Sequence, residues 1–276
     1  PGCTGFSRRA KSMSESLLTI DSVSRHFGGV TALNAVSLSV TAGEVHALIG
    51  PNGAGKTTFF NILTGLYHPT SGRVHLGDKD VTGLPTHQVA HLGLARTFQN
   101  IRLFNLMTAE ENVMVAMHSH MKSGIVGTVF KSPRQRREEK EGRERARELL
   151  AFVGIPKVAD EYARNLSYGD QRRLEVARAL ALRPKILLLD EPTAGMNPQE
   201  SARFVEFVYR VRDEMDLSVL LIEHDMSVVM KVSERVTVLD QGKKIAEGTP
   251  DDIKNDQRVV EAYLGKTGTE GYRSDK

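Results

Sequence analysis

The apolar positions change their period along the chain, and each change marks a different element. Residues 17–40 alternate apolar and polar side chains through "LLTIDSVSRHF" and "VTALNAVSLSV", broken by Gly28-Gly29. A period of two around a glycine pair predicts an antiparallel hairpin. "EVHALIG" (44–50) is a short, nearly apolar strand that runs into "GPNGAGKTT" and then an apolar helical stretch, "FFNILTGLY". "GRVHLGDKDVTG" (72–83) carries a second hairpin pattern. From 105 to 182 the pattern is mostly helical. Thr108 opens "TAEENVMVAMHSHM" with Glu111 three residues on, the spacing of a capping box. "PRQRREEKEGRERARELLAFVGI" predicts a charged helix with an apolar end, and "SYGDQRRLEVARALAL" a helix that stops at Arg183-Pro184. "KILLLDEP" and "SVLLIEHD" are continuous apolar runs separated by a helical "PQESARFVEFVYRVRDEM". That β-α-β order implies parallel strands buried on both faces. "RVTVLDQGKKIAEG" predicts a closing hairpin, followed by a short helical tail. The fold class is therefore α/β, with a helical stretch interrupting a domain whose strands lie on both sides of it.

Composition narrows the class without choosing a function. The chain has 276 residues, 40% of them hydrophobic and 26% charged, enough for one large domain or a domain with a subdomain. Thirty-seven basic residues stand against thirty-four acidic ones, an excess too small to imply a nucleic-acid partner. Cys3 is the single cysteine, so no disulfide can form within one chain and a reducing compartment fits. No run reaches the roughly 18 apolar residues of a membrane span. Residues 1–13 are expected to be a disordered leader or tag remnant, with Met13 a plausible natural start. A cytoplasmic protein is expected.

The chemistry concentrates where strands end. Gly50-Pro51-Asn52-Gly53-Ala54-Gly55-Lys56-Thr57 fits G-x-x-x-x-G-K-[ST] and lies between an apolar strand and a helix, as that motif requires. Backbone N–H groups from Asn52 to Thr58 can curl around phosphate oxygens, helped by the positive end of the helix dipole. Lys56 adds a point charge for the β- and γ-phosphates, and the Thr57 hydroxyl can ligate Mg²⁺. "ILLLDEP" brings Asp190 and Glu191 to the C-terminal end of a strand, where parallel sheets place ligands. Asp190 is a candidate for the Mg²⁺ shell and Glu191 for general base toward water. His224 follows "VLLIE" and could bond the γ-phosphate; Gln99, in "ARTFQN", could reach the attacking water or Mg²⁺. In "NLSYGDQRRLE", Ser167 is a good N-cap and Gly169 permits close approach to the backbone, whereas Arg172, Arg173 and Glu175 are expected on a solvated face.

With these motifs in this order, the chain resembles the ATP-binding-cassette family over residues 17–265. The resemblance implies a P-loop NTPase (RecA-like) core with an antiparallel β subdomain and an inserted α-helical subdomain. It implies subunits working as head-to-tail pairs, with two Mg·ATP between the P-loop of one and the signature of the other. Ser167, Tyr168, Gly169 and Asp170 would then be that signature, and Asn197 would lie in the loop that crosses the dimer. Phe27, in a stretch without Tyr or Trp, would stack on adenine. The wording "RTFQNIRLF", "LSYGDQRRLEVARAL", "EPTAGMNP" and "AYLG" is similar to the ATP-binding subunits of branched-chain amino acid importers. That implies pairing with a second copy or a paralogue, integral-membrane permease subunits, indirect dependence on a solute-binding protein, and a peripheral position on the inner face of the membrane. Two letters depart from the common Leu-Ser-Gly-Gly-Gln signature, Tyr168 and Asp170, and Asn197 replaces the usual Asp.

The division expected on this reading is 1–13 leader, 14–98 first part of the nucleotide core, 99–170 helical insertion, 171–250 second part and 251–276 helical tail. Lys131 to Glu148 interleaves eight basic and five acidic residues, a pattern of i,i+4 pairs on a solvated helix. His118 and His120 are two apart, which on a helix points their rings away from each other and disfavours metal binding. "GIVGTVF" (124–130) is expected to pack internally or receive a membrane subunit. Rival readings are a cassette ATPase for another cargo (urea, short amides, lipopolysaccharide export), a soluble cassette protein of translation or DNA repair, and a nucleotide-binding regulator without hydrolysis.

Overall fold

A computed structural model describes residues 16–99, 101–118 and 133–264; the leader, His120, "GIVGTVF" and the end of the tail lie outside these. The first strands, β1 (Ser16–Phe27) and β2 (Val30–Thr41), pair antiparallel through the Gly28-Gly29 turn, with Phe27 opposite Val30. β4 (Ser71–Leu76) adds to β1, and β5 (Lys79–Asp80) to β4, giving a four-stranded antiparallel sheet ordered β2-β1-β4-β5.

The second sheet has six strands in the order β10-β9-β3-β8-β7-β6. β3 (Val45–Ile49), β8 (Ser218–Ile222), β7 (Ile186–Asp190) and β6 (Leu94–Arg96) run parallel, as does β9 (Arg235–Asp240) beside β3; β10 (Lys243–Gly248) closes the edge antiparallel. β3, β7 and β8 are buried throughout, as continuous apolar runs require. Their side chains alternate between two cores. Ala47, Leu187, Leu189, Val219 and Leu221 face one, with Val113, Leu174, Phe204 and Val229; Leu48, Ile186, Leu188, Leu220 and Ile222 face the other, with Phe59, Phe60 and the antiparallel sheet.

Helices α1 (Lys56–Leu63), α2 (Thr86–Leu92), α3 (Ala109–His118), α4 (Pro133–Phe152), α5 (Tyr168–Ala181), α6 (Pro198–Met215), α7 (Met226–Val232), α8 (Pro250–Asn255) and α9 (Gln257–Leu264) complete the order. α2, β6 and α7 are elements the apolar pattern did not separate. α3, α4 and α5 pack on one another, and α3 starts with the expected capping box: Glu111 N–H donates to Thr108 Oγ1 at 3.2 Å and Thr108 N–H to Glu111 Oε2 at 2.8 Å. The charged helix α4 carries the expected i,i+4 pairs Arg137–Glu141, Lys140–Glu144 and Glu139–Arg143. Its Arg143 and Arg147 also clasp Glu110 of α3, whose side chain is buried. No helix among the described residues is long and apolar enough to cross a membrane.

Candidate active site

The P-loop joins β3 to α1, and Gly55 is the N-cap of α1 with φ at 100°. A Cβ there would stand 2.6 Å from the Ala32 carbonyl oxygen, so only glycine lets the loop close against the β2 segment. Lys56 is 8% exposed, and its ammonium donates to the Gly50 carbonyl at 2.6 Å and the Pro51 carbonyl at 3.0 Å. Burial pulls its pKa down, while the charges of Glu191 and Asp190 work the other way. The ammonium is thus held by the loop's own carbonyls, with the two strand-end carboxylates favouring its charged form. Asn52, Gly53 and Thr57 are exposed, Ala54 is buried and Thr58 is half-buried.

Three of the predicted catalytic groups converge. Gln99 Nε2 donates to Glu191 Oε2 at 2.9 Å, and His224 Nδ1 lies 3.9 Å from the same oxygen. Glu191 adopts a left-handed backbone, φ 47°, held by its N–H to the Ile222 carbonyl at 3.0 Å. A non-glycine residue there is strained by about 1 kcal/mol or more, and such strain is retained where the surroundings over-determine the geometry. The turn lifts the Glu191 carboxylate off the sheet, toward Gln99 and His224.

Asp190 ends β7 and is buried. Its Oδ2 accepts from Arg96 Nη2 at 2.6 Å, with both side chains 5% exposed. Arg96 also donates to Asn61 Oδ1 at 2.7 Å and lies over the rings of Phe60 and Phe98. Sequence reasoning passed over Arg96, because three extended residues give no pattern that would mark the strand burying it. It passed over Glu223 as well. That fully buried carboxylate accepts from Thr193 N–H at 2.9 Å, from Thr193 Oγ1 at 2.5 Å and from His224 N–H at 3.0 Å, tying the loop after Glu191 to the loop of His224.

Thr57, Asp190 and Gln99 present oxygen donors of the hard type that Mg²⁺ takes. Among the described residues no group of three or more His, Cys, Asp or Glu side chains could cage a metal by itself.

At the signature, Ser167 caps α5 as expected: Asp170 N–H donates to its Oγ at 3.2 Å. Gly169 has open space where a Cβ would stand, and Tyr168 is exposed. Asn197 caps α6, its Oδ1 accepting from the N–H groups of Gln199 and Glu200, both at 3.0 Å. Two expectations need correction. Arg172 and Glu175 are not solvated: they are 8% and 5% exposed and bond the backbone of residues 98 and 99. And the surroundings of Phe27 do contain a tyrosine, because the fold brings Tyr67 edge-on to it, ring centroids 5.4 Å apart. Phe27 is 40% exposed, with the Arg25 guanidinium 4.5 Å from its centroid.

A phosphate loop set against a strand-end carboxylate pair, with Gln and His converging on the second carboxylate, defines a P-loop nucleotide-hydrolase cassette. The ABC transporter family model matches residues 33–194, and the chain belongs to that family. A second model, described as branched-chain amino acid ATP-binding cassette transporter, matches residues 243–268. The chain is 46% identical over 254 residues to the high-affinity branched-chain amino acid transport ATP-binding protein LivG of Salmonella typhimurium, covering 92% of this chain and 100% of that one. It is also similar to the crystal structure of the ADP conformation of MJ1267, an ATP-binding cassette of an ABC transporter: TM-score 0.79, 31% identity, 92% of this chain and 100% of that one. The dimeric structure of MJ0796, a bacterial ABC transporter cassette, matches with TM-score 0.72 and 27% identity, over 84% of this chain and 98% of that one.

Proposed function

We propose that this chain is the ATP-hydrolysing subunit of an importer of branched-chain amino acids, acting through separate membrane subunits. The convergence of Gln99, Glu191 and His224 at the C-terminal ends of parallel strands, beside the P-loop, carries the reading. Amides of Asn52 to Thr58 and the Lys56 ammonium hold the phosphates, with Lys56 exchanging its loop carbonyls for phosphate oxygens. Phe27 stacks on adenine. Thr57 and Asp190 would hold Mg²⁺, assisted by the Gln99 amide oxygen; neutralisation of phosphate charge is what the ion would supply. Glu191 takes a proton from water, Gln99 orients that water, and His224 bonds the γ-phosphate.

Two chains, or this chain and a paralogue, pair head to tail. Ser167 and Gly169 then complete the partner's site, flanked by Tyr168 and Asp170, while Asn197 lies at the crossing loop. The similarity to a dimeric cassette supports the pairing, and the similarity to LivG supports the cargo. Phe104, Leu106, Met107, Val115 and Tyr162 are exposed apolar side chains on and around α3. They supply the surface on which a permease docks at the inner face of the membrane.

Replacing Glu191 with Gln is expected to abolish turnover while leaving an ATP-bound dimer visible by size-exclusion chromatography. Retained hydrolysis removes Glu191 as the base. Leucine uptake by a deletion strain tests the cargo: unchanged uptake, with a different solute lost, would redirect the assignment.

A further inference from the structure

The signature helix α5 grips the segment carrying Gln99 with three charged side chains spaced three apart. Arg172 Nη1 donates to the Phe98 carbonyl at 2.8 Å and its Nη2 to the Gln99 carbonyl at 2.7 Å. Glu175 Oε1 accepts from the Phe98 N–H at 3.1 Å. Arg178 donates to the Arg102 carbonyl and lies 4.9 Å from the Phe104 ring centroid. Both polar sides of residue 98 are thereby satisfied by α5. Glu175 lies 3.6 Å from Arg172, an ion pair inside the clasp.

Tyr168 keys this arrangement. Arg172 Nε and Nη2 stand 3.3 and 3.1 Å from the Tyr168 hydroxyl, and a guanidinium has no acceptor, so the phenol oxygen accepts from both. A guanidinium forked between two carbonyls and a phenol has fixed geometry that an ammonium does not reproduce. On its other side the clasp faces a cavity of about 560 Å³ toward Glu200 and Phe204 of α6.

The consequence depends on the head-to-tail pairing proposed above. In such a pair the signature of one chain meets the nucleotide of its partner, whereas Gln99 serves the nucleotide of its own chain. We propose that Arg172, keyed by Tyr168 and backed by Glu175, is a positioning residue that carries the state of one ATP site to the other. It does so by moving the signature turn and the Gln99 backbone as one body. Tyr168, one of the two letters that depart from the common signature, is on this reading a cis lock on Gln99 rather than a ligand of phosphate.

The test measures ATP hydrolysis against ATP concentration for the full chain assembled with its membrane subunits. It compares wild type with Tyr168→Phe, Arg172→Lys and Gln99→Ala, and with Arg172→Lys in the Gln99→Ala background. Tyr168→Phe is exposed and isosteric and will fold; circular dichroism checks Arg172→Lys. Displacing a positioned group by about 1 Å can cost up to a hundredfold in rate, so a ten- to hundredfold fall in kcat is expected for Arg172→Lys and a smaller one for Tyr168→Phe. Binding of a fluorescent ATP analogue to the P-loop should be unchanged. The Hill coefficient, bounded by two sites, should fall toward one in both variants. In the Gln99→Ala background Arg172→Lys should cost no further kcat, the sign that it acts through Gln99. Unchanged kcat and Hill coefficient in Tyr168→Phe, or additive losses in the double variant, would overturn the clasp while wild-type hydrolysis leaves the cassette reading standing. Absence of hydrolysis in the wild-type assembly would instead overturn the function on which the clasp rests.

Discussion

Removing Arg96 should cost far more stability than a surface charge does. Its guanidinium and the Asp190 carboxylate are 2.6 Å apart and each 5% exposed, so Arg96→Met leaves a carboxylate buried without its cation. Losing one partner of a buried pair costs about 3–5 kcal/mol, because the remaining charge keeps its desolvation penalty and loses the compensation. The hydrogen bond to Asn61 Oδ1 goes as well, and Asn61 belongs to the P-loop helix, so three elements lose a common tie. At about 2–4 °C per kcal/mol for a chain of this size, the melting midpoint should fall by about 6–20 °C. Asp190→Asn orphans Arg96 in the same way. The double variant Arg96→Met/Asp190→Asn carries neither charge of this pair and should recover about 2 kcal/mol or more of the summed losses. Urea unfolding by circular dichroism, without nucleotide and with chelator, measures all four proteins. Single losses below about 1 kcal/mol that simply add would show that the pair is solvated in solution and refute the reasoning.

Gly169→Ala should leave the melting midpoint unchanged, since the added methyl meets nothing within 4 Å in a lone chain, yet hydrolysis by the assembled pair should collapse as the methyl enters the partner's phosphate space. Full activity in that variant would remove Gly169 from the trans site. Glu44 is buried, which favours its neutral form, but bonds from His46 and Thr41 outweigh this and hold its pKa at about 2 against an ordinary 4.5. Its folded-state pKa is depressed, so its contribution of about 3 kcal/mol is present above pH 4.5 and lost as pH falls through about 2. The stability gap between wild type and Glu44→Gln, read from urea midpoints, should therefore close across that window; a gap independent of pH counts against it.

What the chain made legible followed the strength of its local rules. Helix α6 begins where Pro198 follows the capping Asn197, and the first hairpin turns at the expected Gly28-Gly29, because these features are set by residues a few positions apart. The convergence of Gln99, Glu191 and His224 was legible because each stands at or just beyond a strand end, and strand ends of a parallel sheet share one edge. The α2–β6 segment was not, since seven helical and three extended residues are too few for either period to emerge. Arg172 and Glu175 were misread for another reason. Charged neighbours on a helix usually mean water, and here the polar partner is the backbone of residues 98 and 99, more than seventy positions away. Tyr67 beside Phe27 is the same kind of long-range fact.

The division of the apolar interior into two cores has a consequence for how such a chain diversifies. Phe59 and Phe60, under the phosphate loop, pack with the antiparallel sheet; Leu174 and Ala177, behind the signature, pack with the opposite layer, and the six-stranded sheet stands between as a bulkhead. On the proposed reading, a change that reshapes the helical face for a new membrane partner need not be transmitted as repacking to the layer that would grip nucleotide. The cradle can stay fixed while the docking side drifts, which makes this scaffold a portable engine, refitted to another load without being rebuilt.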